Sequence, residues 1–508
     1  MAWHTLGTAR TALHITGRRF VDDTARDARN ISASLRVFVL TVVVSVLMGV
    51  AGWAFLLSLR TVTSIREANL WLFALLPLVN VTTVWLYHNH GLRASRGNNL
   101  VIDSTLTGTH IHARMGLLTF VCSTATHLAG GSAGREGAAV QIGGTIASNV
   151  SALFKVRDHD RRDLMMAGIS AAFGAAFGTP LAGAFFGMEM CFVGKLDYSA
   201  GLYCLTGSFI GNAVSRMLGS EFAFQTIPVV PDLSLATLAL VILAGVAFGA
   251  MARLFTLTIR TVKRLYGRLF PNYLARAAAS GAMLALLFIG FGLYRYGGLS
   301  EWLPGAAFHG QTTLADAFLK LALTALTVGV GFQGGEVTPL FGIGAALGGW
   351  IGTVTLGDPG FMAALGMVAM FGSALNVPIT TIMLGIDMFG SGAGAYFVIV
   401  SFISYLVAGH RALYPAQRIV TPKRRSLKQD VGLTVADVIE RHGDPLEELI
   451  EGISAASEAA AGPVENGDGE TDGVPDRATA ETATSSEAAG DPSTTDPTDN
   501  PSPAKHDN

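Results

Sequence analysis

Residues 130–137 read Gly-Gly-Ser-Ala-Gly-Arg-Glu-Gly, and an apolar stretch begins at Ala138. Further on, residues 329–339 read Gly-Val-Gly-Phe-Gln-Gly-Gly-Glu-Val-Thr-Pro, and a second apolar stretch follows. In both places flexible backbone runs straight into a predicted helix. Pro339 suits a first helical turn, where its missing N–H costs nothing. The unpaired N–H groups and positive dipole end of a helix start attract anions. At membrane depth such irregular backbone is tolerated only where it is buried in protein or lines a cavity.

The two stretches belong to a duplication. Gly134, Glu136 and Gly144 recur as Gly334, Glu336 and Gly344, at an offset of 200. Gly168, Phe173, Gly174, Pro180, Glu189 and Met190 recur as Gly366, Phe371, Gly372, Pro378, Asp387 and Met388, at an offset of 198. Chance matches Gly with Gly in a Gly-rich chain, but rarely preserves Pro, Phe-Gly and acid-Met together. Interrupted hydrophobic segments at matching places in two halves point to a transporter binding site. Each half reads as an odd number of crossings, which sets the halves in opposite orientations. The two Gly-Glu elements then lie symmetrically about the membrane midplane.

Composition agrees. The chain of 508 residues is 50% hydrophobic and 14% charged, with 60 glycines. Soluble domains average about 25% charged residues and about 7% glycine. Low charge and abundant glycine disfavour a soluble enzyme and predict an all-α polytopic membrane protein. Residues 37–59 and 69–87 read as full spans, since a bilayer core needs about 20 apolar residues per helix. Later apolar segments lie at 115–128, 137–154, 164–192, 201–217, 233–258, 276–296, 317–333, 337–355, 361–389 and 393–408. Several are too short to cross, and others are cut by Gly or by Pro180, Pro339 or Pro378. The halves fall at about 37–217 and 233–409.

The formal net charge of −2 hides a cancellation. Residues 426–508 carry 4 Lys/Arg against 19 Asp/Glu, while residues 1–425 carry 31 against 18. The basic flanks at 10–36 and 411–428 predict that both ends of the membrane part face the cytoplasm. The domain reading is a basic cytoplasmic segment at 1–36, a membrane domain at 37–425 and an acidic cytoplasmic tail at 426–508. Residues 432–456 could form an amphipathic helix, and the tail beyond has a composition that cannot bury a core. No cleaved signal peptide is read. Cys122, Cys191 and Cys204 show no disulfide or zinc spacing.

Backbone dipoles have a functional logic as anion ligands. A full ammonium would hold the anion tightly, whereas partial charges bind weakly enough for transit. Ionised Glu136 competes with the anion for the N–H groups of its helix start, and protonated Glu136 withdraws. One carboxylate is then both gate and proton carrier, and intramembrane acids are functional candidates by default. The plain alternative is a tight turn with a capping acid, since Gly runs also serve helix packing.

Gly134-Arg135-Glu136-Gly137 followed by Val140-Gln141-Ile142-Gly143-Gly144 resembles the G-R-E-G-x-x-V-Q-x-G-G motif of CLC anion channels and transporters. Pro180-Leu181-Ala182-Gly183 resembles that family's next helix, and Gly334 to Pro339 its later G-G-x-F-x-P motif. Tyr414 resembles the tyrosine that opens the last membrane helix. The resemblance covers roughly 37–425 in the family's order. It implies a CLC-type inverted repeat with broken and re-entrant helices. It also implies a homodimer with one anion pathway per subunit, Glu136 as gate and proton carrier, and Tyr414 as hydroxyl donor to the central anion.

Three departures narrow the subtype. The first family motif is here Gly97-Asn98-Asn99-Leu100-Val101, with Asn98 at the usual serine. The later motif carries Glu336 and Val337. Glu189-Met190 stands where the family pairs two glutamates, so the internal proton-transfer glutamate is absent. These variants resemble the fluoride/proton antiporters of the family, in which Glu336 and Thr338 belong to the ion pathway. Gln333 departs from that clade, where a basic residue is expected. The implied function is fluoride export by fluoride/proton antiport. The alternative is a chloride/proton antiporter or a voltage-gated-type chloride channel of the same fold.

Fluoride holds its hydration water more strongly than chloride, so replacing that water takes more or better-placed donors. Asn98 and Asn99 each offer two amide N–H groups and Thr338 a hydroxyl. The other reading of the Asn pair is a helix cap. The expected anion-binding set is Asn98, Asn99, Gly134, Arg135, Gly137, Glu336, Val337, Thr338 and Tyr414. His88, His90, His110, His112 and His127 lack a carboxylate or Cys partner set and read as surface or interfacial residues. Asp387 reads as support for packing or a dimer interface, and Lys423-Arg424-Arg425 as a cytoplasmic anchor. No cofactor, metal, catalytic triad or nucleic-acid patch is read. The partners are the anion, protons, the bilayer and a second copy.

Overall fold

A computed structural model of the protein describes residues 2–443 apart from 223 and 356, with backbone alone for 2–33. The tail reading beyond 443 lies outside the described residues. The first half comprises α1 (Ala2–Ala68), α2 (Leu76–His90), α3 (Asn98–Thr107), α4 (Ala113–Leu128), α5 (Glu136–Leu153), α6 (Asp158–Phe177), α7 (Pro180–Glu189) and α8 (Gly201–Met217). The second half comprises α9 (Leu235–Leu269), α10 (Tyr273–Gly290), α11 (Trp302–Phe308), α12 (Leu314–Val328), α13 (Val337–Val354), α14 (Pro359–Leu375), α15 (Pro378–Phe389) and α16 (Gly394–Ala408). A short α17 (Val435–His442) follows. The expected apolar segments map onto these helices, while the short α3 and α11 were not legible as apolar runs. From Ala2 the basic segment is continuous with the first span in one helix, α1.

Among the described residues six helical stretches are long and apolar enough to cross a membrane: Ser34–Ala68, Leu70–His90, Leu235–Leu269, Tyr273–Gly290, Val337–Val354 and Ser391–Ala408. The rest are shorter or more interrupted, as all-α architecture with broken helices requires. The breaks repeat between halves. α6 ends on Gly178 in the left-handed region (φ +76) and Pro180 opens α7. α14 ends on Asn376, also left-handed (φ +61), and Pro378 opens α15. A left-handed residue stops a helix, and proline at the first position starts the next without losing a bond. Pro339 breaks nothing, because it lies in the first turn of α13.

Helices α5 and α6 pack against each other, as do α13 and α14, and both pairs cross at glycine. A Cβ on Gly168 would stand 2.7 Å from the Ala147 Cβ and 3.0 Å from the Gly143 carbonyl oxygen. The repeat mates Phe173 and Phe371 meet at the centre with rings 5.9 Å apart, joined by Phe177, Phe186 and Phe341. The duplication therefore ends in one shared core.

The expectation of a last helix from Tyr414 is overturned. Residues 409–434 run as turns with a 3-10 segment at Arg425–Asp430. Arg418–Ile419 forms a two-residue strand parallel to Phe192–Val193. Gly409, Pro415 and Pro422 interrupt any helix here, and backbone bonds from Arg418 N to Cys191 O (3.1 Å) and Val420 N to Val193 O (3.1 Å) give the segment another partner.

Candidate functional site

The two Gly-rich elements touch. Gly134 N donates to Gly335 O at 2.5 Å, and Gly335 N donates to Gly134 O at 2.6 Å, as an antiparallel bridge. A Cβ on Gly335 would stand 2.6 Å from Gly137 N, and one on Gly134 would stand 2.9 Å from Thr338 N. The glycines are what allow α5 and α13 to start from one point.

Glu136 is buried at the first position of α5. Its own sequence context aims it at its own helix start. The structure sends it across the junction instead. Glu136 Oε2 accepts from Thr338 N at 3.0 Å and from the Thr338 hydroxyl. It also accepts from Arg135 N at 3.2 Å, while Arg135 Nε donates to Oε1 at 3.2 Å. The antiparallel junction explains this, because it lays the start of α13 beside that of α5. The carboxylate thus occupies the N-terminal end of α13, the place a free anion would take. The Arg135 guanidinium also leans toward exposed Glu301, with 3.8 Å between charged atoms.

A second cluster lies beside it. Asn98 Nδ2 donates to the Tyr414 hydroxyl at 3.0 Å, and both side chains are buried. A Cβ on Gly137 would meet Asn98 Nδ2 at 3.0 Å, Gly335 Cα at 3.0 Å and Glu336 Oε2 at 3.2 Å. Asn98, Gly137, Gly335 and Glu336 therefore surround one small space. Asn98 Oδ1 and Glu336 Oε2 are buried without a hydrogen-bond partner among the described residues. Val337 is buried in the apolar core, so its side chain offers the site no polar group. Gln141 stands behind Gly97, held by the Thr119 hydroxyl donating to its Oε1 at 2.9 Å.

Asn99 is placed differently. Its Oδ1 accepts from Ala416 N at 3.1 Å, so it holds the segment that carries Tyr414. Neither Asn caps α3, whose cap residue is Gly97 at φ +54. Gln417 anchors the same segment, donating to Leu375 O at 2.7 Å and Met190 O at 2.9 Å. These contacts replace the missing helix as the support of Tyr414.

Lys423, expected in a basic anchor, turns inward. Its ammonium donates to Asn376 Oδ1 at 2.6 Å, Gly409 O at 2.6 Å and Tyr405 O at 2.8 Å, closing the end of α16. Asp103 pairs with Arg96. The five histidines are dispersed: His88 stacks on Tyr273, His90 meets Trp85, His110 meets His112, and His127 Nδ1 bonds to Ser123 O. One charged residue escaped notice, Lys320, buried in α12. Its signal was available, as a lone cation inside an apolar helix.

Two inverted halves, broken helices and paired acid-bearing helix starts define the class: a polytopic, inverted-repeat membrane transport protein. Residues 79–409 match the family described as voltage gated chloride channel. The chain belongs to this family, the CLC proteins. It is 35% identical over 399 residues to a chloride/fluoride channel protein of Pseudomonas syringae pv. tomato, covering 77% of this chain and 88% of that one. The H(+)/Cl(-) exchange transporter ClcA of Vibrio cholerae is 29% identical over 273 residues, covering 50% of this chain and 58% of that one. Among solved structures, a CLC-type fluoride/proton antiporter superposes with a TM-score of 0.74 at 34% identity, covering 76% of this chain and 98% of that chain.

Proposed function

We propose that this protein exports fluoride across the plasma membrane by exchange with protons. The seat of Glu136 on the Thr338 amide and hydroxyl carries the reading. An ionised carboxylate there blocks the anion. A protonated one loses its hold on those donors and yields the seat, so proton and anion take turns at one place. Asn98, Thr338 and Tyr414 supply hydrogen-bond donors suited to a small, strongly hydrated anion. The antiporter of known structure and the chloride/fluoride channel protein support the anion assigned.

The rest of the reading follows the family. The chain works as a homodimer with cytoplasmic basic flanks, and the membrane domain runs from 37 to 425. The test is efflux from liposomes loaded with fluoride or chloride, with proton movement followed together with the anion. Fluoride efflux coupled to proton uptake supports the proposal. Equal rates for the two anions would reject fluoride export and favour a chloride transporter. Anion movement without protons would favour a channel.

A further inference from the structure

We propose that Lys320 is a buried ammonium, held by four oxygens, that raises anion occupancy at the junction without touching the anion, which makes it a positioning residue. The inference rests on the anion-transport reading. Lys320 lies inside α12, within Ala-Phe-Leu-Lys-Leu-Ala-Leu, and its side chain is fully buried. Four oxygens receive its ammonium: Ser132 Oγ at 2.9 Å, Ser300 Oγ at 2.9 Å, Gly298 O at 3.0 Å and Tyr296 O at 3.2 Å.

All four are neutral. Among the described residues no carboxylate pairs with Lys320. Asp316, one turn earlier on α12, is taken by Arg295 at 2.8 Å, by the Tyr296 hydroxyl and by Thr313. A second buried cation approaches the same spot. Arg66 packs on Gly298, donates to His127 O at 3.0 Å, and pairs with exposed Glu67 at 3.5 Å. Two buried cations thus meet on one glycine, and Asp316, the buried carboxylate nearby on α12, is engaged by Arg295 and the Tyr296 hydroxyl rather than by either of them.

Burying an unpaired charge is costly, and its field is weakly screened in a low-dielectric interior. The field has a defined neighbour. Ser132 belongs to the first Gly-rich element, two residues before Gly134, and is fixed by Thr324 Oγ1 at 2.9 Å and Thr327 Oγ1 at 3.2 Å. Lys320 therefore stands directly behind the loop that delivers Glu136 and the start of α5. A charge at this remove attracts an anion to the junction, while the contacts themselves stay weak enough for release.

The test uses the full-length protein in liposomes and measures initial efflux against internal fluoride concentration, with the proton-to-anion ratio. Lys320→Met and Lys320→Gln should raise the KM for fluoride about tenfold and leave the ratio unchanged. Lys320→Arg should restore KM to within about twofold. A folded Met or Gln variant with wild-type KM would overturn the inference. If neither folds, Arg66→Gln and Ser132→Ala decide. Wild-type KM in both would assign Lys320 to packing alone, and a raised KM in Arg66→Gln would support the field. Wild-type liposomes that move neither anion would overturn the functional reading and this inference with it, whereas wild-type KM in a folded Lys320 variant overturns this inference alone.

Discussion

Glu189 and Asp387 are repeat mates, and each closes the helix start that belongs to the other. Glu189, at the end of α7, accepts from Thr380 N at 2.8 Å, the Thr380 hydroxyl at 2.7 Å and Ile379 N at 3.1 Å, all at the start of α15. Asp387, near the end of α15, accepts from Ala182 N at 2.9 Å at the start of α7. The acid-Met signature of the duplication is thus a pair of reciprocal caps. This settles what Asp387 does within the chain, which is to support packing.

The caps lead to a stability prediction. Glu189→Ala orphans three donors, two of them buried, and Asp387→Ala orphans fewer. Each lost cap costs about 1–3 kcal/mol. Thermal melting of the purified protein should therefore fall more for Glu189→Ala than for Asp387→Ala. The reverse order would mean that these hydrogen bonds do not set the stability of the two helix starts.

Glu136→Gln should abolish proton movement with the anion, because an amide cannot carry the proton. The side chain is buried against Thr338, so its size suits the same seat and folding is expected to persist. Acid-driven anion movement by a folded Glu136→Gln protein would sink the gate assignment.

Thr338 gives the carboxylate a hydroxyl as well as a backbone N–H. Thr338→Ser keeps both and Thr338→Ala keeps only the second. A hydrogen bond to a charged group contributes about 1.5–3 kcal/mol. The Ala variant should therefore lose about tenfold or more in coupled turnover, with Ser near wild type. Equal loss in both would assign Thr338 to packing through its methyl group.

Much of this was legible because duplication leaves matching residues. Pro180 and Pro378 marked breaks in the apolar segments, and the two Gly-Glu elements marked a matching pair of helix starts. What the chain could not show was which start each acid serves. Glu136 reads locally as a cap of α5, but the antiparallel bridge hands it to α13. The same limit hid the Glu189–Asp387 exchange. The Tyr414 segment departs from the helix that the family resemblance implies, because Gly409, Pro415 and Pro422 interrupt it. Asn98 and Asn99 are neighbours in sequence, yet successive positions of a helix face different ways. One meets Tyr414 and the other meets Ala416.

Gly335→Ala tests the junction itself. The added Cβ would stand 2.6 Å from Gly137 N and 3.1 Å from Glu136 N, and these are backbone atoms that cannot swing aside. Overpacking of this kind costs about 1–3 kcal/mol. The variant should lose anion transport even where it remains folded, because the starts of α5 and α13 are forced apart. Wild-type fluoride efflux from Gly335→Ala would show that the contact of the two elements is dispensable.

The last prediction concerns the segment that carries Tyr414. α17 is fastened to it by Ala436 N donating to Pro415 O at 2.9 Å and Val435 N donating to Gln417 O at 2.9 Å. Asp430 holds the far end of α17 through Arg441 at 3.0 Å and His442 at 2.8 Å. Burial opposes ionisation of Asp430, but hydrogen bonds and charge from His442 and Arg441 outweigh it and hold the carboxyl below its ordinary value. A depressed carboxyl stabilises the docked form fully above its unfolded value, about 3.9, and the benefit is lost as pH falls through the folded value below that. Amide exchange at Val435 and Ala436 should therefore stay slow from neutral pH down to about 4 and accelerate below it. Asp430→Asn should remove this acid step and speed exchange at neutral pH. An unchanged profile in Asp430→Asn would show that α17 is held by Val193, Ile419, Val435 and Val438 packing alone.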